Sequence, residues 1–243
     1  MLEIKNLSYQ YEGHQVLSNI HLQVAEGETV GLLGMSGVGK TTLFNLVSQG
    51  LAIQEGSITM NGSAQVSDKI SYMMQKDLLF DHKTVAENIA LPLHLKGLSR
   101  RKVDQRVREL LEDFQLEQWS NHYPKVLSGG MRQRIELLRT IAFDRRWVLL
   151  DEPFGALDMK TRQQMHFWFK KIRQEHHWST LLVTHDVDEA LMLCDRIYVL
   201  SGQPGKISLE LSISLNEKID YVNQNQDWLY LSYKTQLLEE LMG

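Results

Sequence analysis

The segment Gly34-Met35-Ser36-Gly37-Val38-Gly39-Lys40-Thr41 lies between a short apolar run, Thr29–Leu33, and a segment with a helical pattern, Lys40–Gln49. Small residues at this spacing let successive backbone N–H groups close around phosphate oxygens. The helix that follows points its positive end at the same oxygens. The order strand, glycine-rich loop, helix is what that chemistry requires. Gly34, Ser36, Gly37 and Gly39 are the candidate cradle. Lys40 would reach the β- and γ-phosphates of a nucleotide such as ATP, Thr41 would offer its hydroxyl to Mg²⁺, and Thr42 would touch the α-phosphate.

A second chemical feature is the apolar run Val148-Leu149-Leu150 ending in Asp151-Glu152-Pro153. If the strands are parallel, this end lies beside the phosphate loop. Asp151 would then hold Mg²⁺, and Glu152 would take a proton from, or polarise, the water attacking the γ-phosphate. Two adjacent acids suit the division of labour, because the metal neutralises one and leaves the other free as a base.

These groups need elements to position them. Leu2–Tyr11 and Gln15–Val24 alternate as strands, joined by a turn at Glu12-Gly13-His14. Gly56–Asn61, Ile70–Met74, Trp147–Leu150, Thr180–Thr184 and Ile197–Leu200 also have strand patterns. Helical patterns cover Thr84 to about Trp119, with Thr84 and Glu87 spaced as a capping box and Ser99 as the cap of a second helix running to Phe114. Further helices are expected over Ser128–Phe143, Lys160–His177 and Gln224–Met242. Apolar strands alternating with helices predict an α/β fold with a mostly parallel sheet covered on both faces. Ligands of such sheets bind beyond the carboxyl ends of the strands, directing attention to the residues after Leu33, Leu150 and Thr184. Residues 84–145 are expected to form a helical subdomain inserted into a single domain spanning 1–243.

Leu127-Ser128-Gly129-Gly130-Met131-Arg132-Gln133-Arg134 completes a set of three motifs in a fixed order. By these residues the chain resembles the ATP-binding subunits of ABC transporters over nearly its whole length. The resemblance implies a P-loop NTPase core with an N-terminal antiparallel β subdomain and the inserted helices. It also implies that Ser128, Gly129 and Gly130 face the γ-phosphate of an ATP held by a second subunit. A bare helix N-terminus with glycines suits that task.

Other positions match the family one by one. Tyr11 resembles the aromatic that stacks on adenine; Tyr9 is the competing tyrosine, and family spacing favours Tyr11. Gln75 resembles the glutamine that touches Mg²⁺ or water and senses the membrane partner. Phe154–Asp158 resembles the loop through which two subunits communicate, with Asp158 as its acid. His185 matches the switch histidine and is expected to steady Glu152 and the phosphate. Met131 and Met35 stand where many relatives have Gln and Pro.

The resemblance implies two copies paired head-to-tail, transmembrane permease subunits, and an extracellular solute-binding protein reached through the permease. Leu78, Leu79 and Phe80, with Leu91, Leu93 and Leu95, offer apolar surface for the permease or, for most of them, core packing. Import, export and a soluble, non-transport ATPase compete as function classes. The last predicts a coiled-coil insertion or tandem cassettes, which 243 residues do not accommodate. The stretch Asn121–Val126 resembles importers more than exporters. The texture of Asp151–Asp158 with Thr161-Arg162, Val183–Ala190 and Ser201–Ile207 resembles the nitrate, sulfonate and taurine importers and their thiamine-precursor relatives.

Composition sets limits on these readings. A net charge of -4 argues against nucleic-acid binding. A single cysteine, Cys194, excludes an internal disulfide. No run reaches the ~18 apolar residues of a membrane span; the resemblance implies a peripheral place on the cytoplasmic face of the membrane.

Overall fold

The computed structural model describes residues 1–75, 78–215, 224 and 227–242. Its centre is a six-stranded sheet built from β3 (Thr29–Gly34), β5 (Ile70–Met73), β6 (Trp147–Asp151), β7 (Ser179–Thr184), β8 (Arg196–Ser201) and β9 (Lys206–Ser212) in the order β5-β6-β7-β3-β8-β9. All neighbours are parallel except β8 and β9. A second, antiparallel sheet holds β1 (Leu2–Tyr11), β2 (His14–Val24) and β4 (Glu55–Met60) in the order β2-β1-β4.

Side-chain alternation along the central strands divides the core in two. On β6, Val148 and Leu150 face one apolar cluster while Trp147 and Leu149 face the other. Leu182 on β7 opposes Leu181 and Val183 in the same way. The first cluster lies under α2 (Val85–Leu95), α3 (Arg100–Asp113), α4 (Gly129–Ala142), α5 (Met159–His176), α6 (Val187–Leu193) and α7 (Trp228–Met242). The second lies under α1 (Lys40–Val47) and the antiparallel sheet. Strands buried on both faces explain why the central runs lack a polar face in the sequence.

Helix starts follow local chemistry. Thr84 and Glu87 form a reciprocal capping box on α2. Ser128, Asp158 and Asp186 cap α4, α5 and α6 by accepting from Met131, Thr161 and Glu189 N–H. The chain from β5 to β6 is occupied by α2, α3 and α4, although β5 and β6 themselves pair directly.

The structure corrects several expectations. Strand β9 lacks a counterpart in the sequence reading, although its half-buried Ile207, Leu209 and Leu211 alternate with exposed polar residues. The described part of the last helix starts at Trp228, not Gln224; Asp227 accepts the Tyr230 N–H there, and residues 225 and 226 lie outside the described set. Ser99 stands at the N-cap of α3 but its side chain makes no capping hydrogen bond. Of the apolar residues offered for docking, Leu79 and Leu93 are core, whereas Leu78, Phe80 and Leu95 are exposed.

Candidate active site

Parallel register brings the carboxyl ends of four strands together. Leu33 pairs with Thr184, Asp151 with Val183, and Met73 with Leu150. The residues just beyond these ends, at 34–41, 75, 151–152 and 185, therefore share one edge of the sheet, as the crevice rule for open α/β sheets requires.

The loop from Gly34 to Gly39 is built for backbone approach. A Cβ on Gly34 would stand 2.6 Å from the Leu200 carbonyl oxygen, so no other residue fits without moving β8. Gly39, the N-cap of α1, has φ of 110°. Helix α1 has no side-chain cap and no acid in its first turn. That contrasts with the capped α2, α4, α5 and α6, and it leaves the first N–H groups of α1 for an anion. Ser36, Gly37 and Thr41 are exposed and Thr42 is half-buried.

Lys40 is 7% exposed, with Nζ donating to the carbonyls of Gly34 (2.8 Å) and Met35 (2.9 Å). Burial lowers its pKa, opposed by the negative charges of Glu152 and Asp151. Asp151 is 1% exposed. Its pKa is pushed up to about 6, first by burial and then by the neighbouring Glu152, against the hydrogen bond from Thr41 and the charge of Lys40. Thr41 Oγ1 stands 3.4 Å from Asp151 Oδ2.

The donor set fits Mg²⁺. It offers a hydroxyl beside a carboxylate that lacks a full countercharge. No cluster of three or more His, Cys, Asp or Glu occurs among the described residues. A hard cation completed by water and phosphate oxygens, held by one or two carboxylates, matches that arrangement.

Glu152 projects from a left-handed backbone, φ 51°. Its carboxylate accepts from Gln75 Nε2 at 3.2 Å and lies 3.2 Å from His185 Nδ1. The His185 ring is otherwise open, with a side-chain exposure of 62%.

The remaining candidates sit elsewhere. Tyr11 is 43% exposed and meets the 8% exposed Tyr9 edge-to-face at 4.9 Å, so of the two only Tyr11 presents a ring to a ligand. Ser128 and Gly129 are exposed at the start of α4. A Cβ on Gly129 would meet nothing within 4 Å, whereas one on Gly130 would press on Leu157 at 3.2 Å. Asp158 caps α5, and its hydrogen bonds with Thr161 hold its carboxyl below the usual range. No hydrogen bond or ion pair joins Tyr11 or residues 128–130 to Lys40 among the described residues.

One residue at the site escaped the sequence reading. Gln133 donates to the Glu152 carbonyl and accepts from the Ala156 N–H, both at 2.9 Å. The only available signal was its place within the segment Leu127–Arg134, because these bonds join residues distant in sequence.

Comparison with known proteins identifies the family. Residues 17–155 match the family model described as ABC transporter. The sulfate/thiosulfate import ATP-binding protein CysA of Pseudomonas syringae pv. tomato is 36% identical over 94% of this chain and 71% of its own length. The protein of that name from Thermosynechococcus vestitus is 40% identical over 87% of this chain and 65% of its own. The dimeric structure of MJ0796, a bacterial ABC transporter cassette, superposes with a TM-score of 0.80 and 30% identity, covering 89% of this chain and all of that one. The structure of an ATP binding subunit of an ABC transporter gives 0.82 at 25% identity, with both chains fully covered. A phosphate-ready loop, a buried acid beside it, an oriented second acid and these relatives lead to one assignment: the chain belongs to the ABC transporter family, as one of its ATP-binding, ATP-hydrolysing cassettes.

Proposed function

We propose that this cassette energises a membrane importer for a small anion, a sulfonate or a thiamine-precursor-like solute. The observation that carries the hydrolytic part is the pairing of a buried, under-compensated Asp151 with a Glu152 carboxylate gripped by Gln75 and His185. Import is supported by the names of the CysA relatives, and an anionic cargo by the sulfate and thiosulfate in those names.

In this reading the uncapped start of α1, with Gly34, Ser36, Gly37, Gly39 and Thr42, holds the phosphates, and Tyr11 stacks on the base. Lys40 turns from its loop carbonyls to the β- and γ-phosphates. Thr41, Asp151 and Gln75 would hold Mg²⁺, which supplies charge neutralisation on the phosphate oxygens when bound. Glu152 takes the proton of the attacking water as its oxygen bonds to the γ-phosphorus and the bridge to ADP breaks. His185 keeps Glu152 aimed.

Ser128, Gly129 and Gly130 serve the ATP of a second copy. Gly129 has no need to be glycine within its own chain, which supports a phosphate approaching from outside. Asp158 lies on the loop between the two sites. Residues 84–145 form the helical subdomain of the single domain 1–243.

The permease docks beside Gln75, where Met74, Leu78 and Phe80 expose apolar surface. Fully buried Asn88 bonds both the N–H and the carbonyl of Phe80, and Arg139 bonds the Leu78 carbonyl, so this patch is held in place. The complex includes an extracellular solute-binding protein, and the cassette sits peripherally on the cytoplasmic face. The chain takes no nucleic acid.

The test is affinity purification of the tagged chain from its native membrane. Recovery of a helical membrane subunit with a solute-binding protein is the expected result. A membrane subunit alone would favour export, and ribosomal or DNA-bound partners would overturn transport.

A further inference from the structure

Gln133 lies early in α4, and its side chain leaves that helix to bond only backbone. Nε2 donates to the Glu152 carbonyl and Oε1 accepts from the Ala156 N–H. We propose that Gln133 is a positioning residue for hydrolysis, fixing the peptide of Glu152 to the first turns of α4 so that the base and the exposed end of α4 shift together. The proposal rests on Glu152 being the base.

The backbone of Glu152 is where such a hold has most effect. A left-handed φ is uncommon for a residue with a side chain and persists only where its surroundings fix it. Three contacts fix the backbone on either side of this residue: the Glu152 N–H donates to Val183 O at 3.0 Å, the Gly155 N–H to Glu152 O at 3.3 Å, and Gln133 Nε2 to the same oxygen at 2.9 Å. Gln75 and His185 grip the carboxylate tip. Without Gln133 the tip would remain held while its root could turn, and a base displaced by a fraction of an ångström loses much of its rate.

A glutamine suits the place because one amide tip carries both a donor and an acceptor. The acceptor half reaches the loop that continues to Leu157 and Asp158, and Leu157 packs at the position a Cβ on Gly130 would press upon. Ser128 and Gly129, one helical turn ahead of Gln133, are free toward solvent. A phosphate bound there, belonging to the ATP of the second copy, pulls on α4 and through Gln133 on the Glu152 of this chain. Gln133 would therefore carry part of the coupling between the two ATP sites.

The experiment is steady-state hydrolysis by the full-length chain with ATP affinity measured by calorimetry. Variants are Gln133→Leu, Gln133→Glu, Glu152→Gln and the double variant of Gln133→Leu with Glu152→Gln. Both single Gln133 variants are expected to lower kcat about tenfold or more while KM and ATP affinity stay within about threefold. In the Glu152→Gln background, Gln133→Leu is expected to change residual kcat by less than about twofold, because its effect passes through Glu152. If Gln133→Leu does not fold, the isosteric Gln133→Glu decides, since it keeps the acceptor and loses the donor. A kcat within about twofold of wild type in a folded variant overturns the proposal. So does a full additional loss in the double variant. A wild-type chain that binds ATP without hydrolysing it overturns the proposed function as well.

Discussion

Asp151 is a buried carboxylate with too little positive charge beside it. Its pKa of about 6, above the ordinary 3.8, has a definite sign in stability. The native state binds the proton more tightly than the unfolded state, so this contribution is present below about pH 4 and lost as pH rises through about 6. Asp151→Asn should therefore raise the melting temperature of the nucleotide-free protein at pH 7 by about 5 °C, from about 2 kcal/mol. The gain should vanish near pH 4. The same variant should lose Mg²⁺-dependent hydrolysis. Thermal melts at the two pH values, with and without Mg²⁺-ATP, check both halves. Lys40 is buried and bonded to loop carbonyls, and in the proposed function it turns to a phosphate. Lys40→Ala should weaken ATP binding by about tenfold or more, from about 1.5–3 kcal/mol for a charged hydrogen bond. Unchanged affinity in calorimetry would remove the loop from the site.

At the scale of elements, the phosphate loop is shaped by β8 as much as by its own sequence. The Leu200 carbonyl occupies the space where a side chain on Gly34 would go. Gly34→Ala forces backbone rather than a flexible side chain to move, at a cost of about 2 kcal/mol, or about 5 °C in melting temperature. ATP affinity should fall with it, because the strand end and the cradle shift together. A melt and a binding isotherm on one sample test this, and full stability with full affinity would contradict the close approach. In the proposed coupling, helix α4 acts as a lever: its capped start faces out, and in its second turn Gln133 donates to the Glu152 carbonyl.

For the whole molecule, the proposed function has the chain hold half of each of two sites. Lys40, Thr41, Asp151, Glu152, Gln75 and His185 converge by contacts within one chain. Ser128 and Gly129 face solvent. In the proposed function a second copy would bring a phosphate to them. Glu152→Gln should keep ATP binding, lower hydrolysis by about a hundredfold or more, and accumulate as a dimer at saturating ATP. Light scattering that reports a monomer under those conditions would count against the shared site.

The strands that position the site, the loop Gly34–Thr41, the acids Asp151 and Glu152, and the capping box at Thr84 were legible because each is written in neighbouring residues. Periodicity, turn chemistry and caps act over a few positions, so local sequence determines them. The exposure that separates Tyr11 from Tyr9 and the division of Leu78 from Leu79 were decided by packing against distant segments. The grip of Gln133 on Glu152 belongs with them. Its two hydrogen bonds span 19 and 23 residues, and no local pattern encodes a partner that only the folded sheet and helix bring within 3 Å.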